Sequence, residues 1–127
     1  MRRVILIMAL AMFSGTAMAD WTKVAAGSKT LTAYADLSTL SKNGNKVKMW
    51  VLFDYKTAQT VNGGMYLSSK SQIEYHCEKN ITQLLDFSWH TGKMGGGDAI
   101  RPISYQTQPN FPGSVDDALW KLACKNR

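Results

Sequence analysis

An α+β fold, a single antiparallel β-sheet of about six strands with one C-terminal helix packed on it and tied by a disulfide, is predicted by three observations. Short segments rich in β-branched and aromatic residues, punctuated by Gly and Asn turns, follow one another from Trp21 to Tyr105. The one clear 3.6-residue apolar pattern in this region comes last, at Val115, Ala118, Leu119, Leu122 and Ala123. The two cysteines divide between these regions, Cys77 among the strands and Cys124 in the helix.

Taken in order, Trp21 to Ala26 and Thr30 to Asp36 read as an opening hairpin about Gly27-Ser28-Lys29. Asp36 to Leu40 reads as a helical turn capped by Asp36, and Lys42-Asn43-Gly44-Asn45 is the strongest turn signal in the chain. Val47 to Tyr55 carries Met49, Val51, Phe53 and Tyr55 on one face and Trp50 and Leu52 on the other, the pattern of a central strand. Tyr66 to Cys77 and Ile81 to His90 form a hairpin through Glu78-Lys79-Asn80. Its expected register sets Ile73 beside Leu85, Cys77 beside Ile81 and Ser68 beside His90, with Ile81, Leu85, Phe87 and Trp89 on the core face. Gly92 to Gly97 is a mobile loop, Ala99 to Tyr105 a further strand, and Pro109 to Gly113 a break. The final helix opens on a capping box, Ser114 with Asp117. Asp116 and Asp117 stand at its positive end, and Lys121, Lys125 and Arg127 at its negative end.

The chain begins with a different kind of segment. Met1-Arg2-Arg3, the apolar run Val4 to Phe13 and the small-residue close Ala17-Met18-Ala19 have the order of a signal peptide, with cleavage between Ala19 and Asp20. Residues 1–19 are therefore set apart, and residues 20–127 form one domain with a periplasmic or secreted location. No apolar run reaches the roughly 20 residues that a membrane-spanning helix needs. Asp20 stands where a bacterial lipoprotein has its acylated Cys, so no lipid anchor is expected. In an exported chain the two cysteines imply a single bond, Cys77–Cys124.

The formal net charge is +6, and two of the cations, Arg2 and Arg3, lie in the leader. The remaining lysines are scattered, with no stripe of the kind that marks nucleic-acid binding. His76 and His90 lie too far apart along the hairpin to share a metal ion. Gly92-Lys93-Met94-Gly95-Gly96-Gly97-Asp98 lacks the spacing of a phosphate loop. Asp54, Glu74 and Asp86, or Ser68 and Ser69 with a histidine, offer acids and nucleophiles in no arrangement that makes a catalytic set. Neither a cofactor nor an enzymatic activity is expected. Aromatic residues are the more suggestive feature: with apolar groups on both faces of the central strand and one helix to cover them, Trp50, Tyr55 and Tyr66 are the candidate binding surface.

Read in order, several stretches together resemble the surface-adhesin protein E family. They are Trp21, Tyr34-Ala35-Asp36, Asn43-Gly44, Met49 to Tyr55, Tyr66 to Ser69, Glu74-Tyr75-His76-Cys77, Gly95-Gly96, Pro112-Gly113-Ser114 and Leu119 to Cys124. The resemblance implies a small antiparallel sheet with a disulfide-tethered helix, and adhesion to host matrix or plasma proteins. The expected function is a non-enzymatic exported domain that binds a protein or cell-envelope partner. The alternative is a periplasmic small-ligand binder with an apolar pocket between sheet and helix.

Overall fold

The computed structural model describes residues 20–24, 29–61, 64–79, 81–101 and 113–125. The expected leader and its expected cleavage site after Ala19, the Gly27-Ser28 turn, residues 102–112 and Arg127 lie outside them, as does the side chain of Ser114 with the expected capping box.

Six strands, β1 (Trp21–Lys23), β2 (Leu31–Asn43), β3 (Lys46–Val61), β4 (Gly64–His76), β5 (Ile81–His90) and β6 (Ala99–Ile100), pair antiparallel in sequence order. The helix α1, Gly113–Lys125, lies on one face across β2, β3 and β4. Two turns make the meander compact at one end. Asn43 pairs with Lys46 across Gly44-Asn45, and Gly44 takes the positive φ of 61° that the first position of a tight hairpin turn requires.

The core is the helix-facing side of the sheet. Val115, Leu119 and Ala123 recur at i, i+4 and i+8 and are fully buried against Ala33, Ala35, Val47, Met49, Val51, Phe53, Ile73 and Tyr75. Ala33 and Ala35, both fully buried, leave room for the helix backbone to approach β2. The bond between Cys77 and Cys124, with Cα atoms 5.6 Å apart, ties the last turn of α1 to the end of β4.

Three sequence expectations are corrected. Asp36 to Leu40 is not a helical turn, because β2 continues through it to Asn43 with a register irregularity between Asp36 and Ser41. The Asp36 carboxylate does accept a backbone N–H, from Ser38 at 3.1 Å, and the Thr39 hydroxyl donates to the Asp36 carbonyl. The local polar chemistry that suggested a cap builds a bulge instead. In the β4–β5 hairpin, Ser68 faces His90 as expected, yet a shift beside Ile73 sets that residue opposite Leu84 and His76 opposite Ile81. One extra residue in β5 reverses every side chain beyond it, which turns Ile81 out to 50% exposure. Finally, β3 runs on past Tyr55 to Val61, pairing Gln59 with Tyr66 and Val61 with Gly64 in a two-stranded arm. Its Lys56-Thr57-Ala58 stretch is exposed throughout, so no alternation of apolar residues announces a strand.

Candidate partner-binding surface

At the base of this arm four aromatic rings form a continuous row. Tyr55 and Tyr66 meet edge to face at 5.4 Å, Tyr66 and Trp89 lie 5.9 Å apart, and Trp89 meets Phe87 edge to face at 4.8 Å. Phe87 is buried, whereas Tyr55, Tyr66 and Trp89 are half-buried, anchored in the sheet with part of each surface in solvent. Each such pair is worth about 0.5–1.5 kcal/mol beyond its buried area, so the rings are held in place before any partner arrives. Burial first, and then the neighbouring Tyr66 hydroxyl, push the Tyr55 phenol up to about 12, with Ser69 opposing. Tyr55 is therefore neutral at physiological pH.

The structure brings Tyr55 and Tyr66 together but leaves Trp50 out. Trp50 pairs with Asp36 and Gln72 in the middle of β3, five residues or roughly 16 Å along the strand from Tyr55. Its backbone N–H donates to the Thr39 hydroxyl at 3.0 Å. In its place the row takes in Phe87 and Trp89, which the alternation of β5 marked as core-facing. Their proximity to Tyr66 depends on pairing at the arm, where sequence periodicity is silent.

The apolar surplus on the second face of β3 is also absorbed in part. Leu52 is fully buried, because the Gly92–Gly97 loop folds back onto the sheet instead of standing free. The Met94 N–H donates to Asp54 Oδ1 at 2.9 Å, the Gly95 N–H to Ser68 Oγ at 2.8 Å, and the Ser68 hydroxyl to the Gly92 carbonyl at 2.7 Å. The Lys93 ammonium donates to the Tyr55 carbonyl, which fastens the loop beside the aromatic row. Ser68 thus spends its hydroxyl on the loop and makes no Ser–His pair.

Gly97 shows how narrowly the loop fits. Its φ is +71°, and a Cβ there would collide with Thr91 Oγ1 and come within 2.8 Å of the Gly92 nitrogen. Gly97→Ala is expected to destabilise the protein by about 1–3 kcal/mol, read as a lower urea midpoint with unchanged slope.

His90 is buried, with Nε2 2.8 Å from the Ser88 hydroxyl. Burial, followed by the charges of Lys70 and Arg101, holds its pKa below the ordinary value. The folded state therefore favours neutral His90, and its contribution is full above the unfolded value of about 6.5 and lost as pH falls below it. The melting temperature should drop between about pH 7 and pH 5. His90→Asn should flatten that slope, and identical slopes for the two proteins would exclude His90 as its source.

The family model for surface-adhesin protein E matches residues 21–125, the full span from β1 to the end of α1. The chain belongs to that family. Among solved structures, crystal form II of Haemophilus influenzae protein E superposes with a TM-score of 0.61 at 13% identity, covering 74% of this chain and 80% of that one. At this identity the likeness to protein E is one of fold. No curated protein is significantly similar to the chain. The stretch matched to the protein E family includes the aromatic row, the folded-back loop and the disulfide, so all three belong to the family domain of this chain.

Proposed function

We propose that this chain is an exported, non-enzymatic binding domain of adhesin type, which holds a protein partner against the half-buried row Tyr55–Tyr66–Trp89. The observation that carries this reading is the row itself. Tyr and Trp rings that pack on one another and stay partly exposed are among the side chains that dominate protein–protein binding energy. Family membership supports a surface or exported setting. The reading includes removal of residues 1–19 and release without a lipid anchor. The tight seat of Val115, Leu119 and Ala123, all fully buried, favours a protein partner over a small ligand lodged between sheet and helix.

The test measures binding of immobilised matrix proteins, plasma proteins and envelope extract by the exported product, whose N-terminus should be Asp20. Tyr66→Ala should weaken retention of the bound partner by about thirtyfold, equivalent to a loss of about 2 kcal/mol, with the fold intact by circular dichroism. Retention unchanged by Tyr66→Ala and by Trp89→Ala would remove the row from the binding surface.

A further inference from the structure

Lys46 and Lys79, far apart in sequence, meet at the hairpin end of the sheet. Asn43 pairs with Lys46, Lys46 with His76 and His76 with Ile81, so one row crosses four strands at the hairpin end of the sheet. A cavity of about 460 Å³ opens there, lined by Asn43, Asn45, Lys46, His76, Glu78 and Lys79. Lys48 stands two residues from Lys46 on the same face.

We propose that this cavity is a binding site for a sulfated polysaccharide. The site is separate from the aromatic row, and the proposal goes beyond the protein-binding reading.

The lining matches that chemistry. Lys46 and Lys79 supply exposed point charges for sulfate groups, while the amides of Asn43 and Asn45 and the carboxylate of Glu78 offer donors and acceptors for sugar hydroxyls. Glu74, the other acid nearby, is engaged by His76 Nε2 at 3.1 Å. The helix-borne acids Asp116 and Asp117 lie in the first turns of α1, far from the disulfide-tied end that borders this site. The volume falls in the range of small-molecule sites and exceeds what a single tetrahedral anion fills. Among the described residues, none that lines it is aromatic, so none would stack a nucleic-acid base. Among the described residues no apolar belt surrounds it to enter a membrane, since Ile81 is the one large exposed apolar side chain of the row.

The frame is also rigid. The Cys77 N–H donates to the Asn45 carbonyl at 3.0 Å, joining the β2–β3 turn to the end of β4, and the Lys79 N–H donates to the His76 carbonyl at 3.2 Å. Cys77 is in turn held by the disulfide, so both turns that carry the lining are braced from the core side.

The test titrates the purified chain with a heparin-derived hexasaccharide and with its desulfated counterpart. Binding to the sulfated form alone is expected, weakening as salt rises. The double variant Lys46→Glu/Lys79→Glu should weaken it at least about tenfold. Asn43→Ala, which leaves the charge unchanged, should weaken it severalfold. Lys121→Glu, on the exposed face of α1, should have no effect. All four positions are exposed, so unchanged melting curves verify that the fold survives. The proposal is overturned by absence of binding, by equal weakening from Lys121→Glu, or by insensitivity to the pocket variants. Binding to phosphatidylglycerol vesicles in place of the hexasaccharide also overturns it.

Discussion

Cys124→Ala is expected to lower the stability of the domain by roughly 4 kcal/mol, the loop-closure entropy of a crosslink spanning 47 residues. For a domain of this size that is a drop of about 15–25 °C in melting temperature and a large share of an ordinary stability of about 5–15 kcal/mol. The site of the bond adds to this. α1 is the one helix among the described residues that covers the core face of the sheet, and it is joined to β4 at its last turn, so the crosslink confines the helix to the surface that it must bury. The sheet should persist near room temperature, because its strands are neighbours in sequence and pair through local hairpins. Thermal melts in non-reducing buffer test this, and wild-type protein in reductant should approach the variant. Equal midpoints for the wild type and Cys124→Ala would show that packing alone holds the helix.

Leu119→Ala is expected to cost about 3–5 kcal/mol. Leu119 is the central of three helix residues with no exposed surface, and it belongs to the buried cluster that the helix forms with β2, β3 and β4. The close-packed surroundings cannot collapse around its loss, because the strands are fixed by their ladders and the helix end by the disulfide. The neighbouring Ala118→Gly would alter helix propensity with little cavity and cost about 1 kcal/mol, which separates the two effects. Denaturant titration of both variants gives the comparison, and a Leu119→Ala loss no larger than that of Ala118→Gly would contradict the packing described here.

The parts of this architecture that sequence periodicity carries are those where one side of an element is buried. The α1 pattern from Val115 to Ala123 places its buried face without ambiguity, and the alternation of Met49, Val51 and Phe53 does the same for β3. The Asn43-Gly44 turn is legible because a positive φ demands glycine. The remainder depends on contacts remote in sequence. The extra residue in β5 that turns Ile81 outward leaves no mark in composition, since Leu84 and Leu85 are equally suited to the core. The Lys56-Thr57-Ala58 stretch that leads into the arm is exposed throughout, so only its pairing reveals it. The burial of Leu52 comes from a loop forty residues or so further on, whose glycines fit the sheet closely but read in isolation as flexible. For the same reason the candidate surface was half legible: Tyr55 and Tyr66 belong to it, while Trp50, similar in composition and only five residues away, lies elsewhere on the sheet.

The central claim, that the row at the base of the arm is the surface which meets a partner, is tested most directly by site-specific photo-crosslinking in the native cell. A benzophenone side chain would replace Tyr66 in one strain and Lys121 in another. The account predicts a discrete protein adduct of the exported chain from position 66 and none from position 121, on the exposed face of α1. Adducts from position 121 alone, or the same adducts from both, would contradict it.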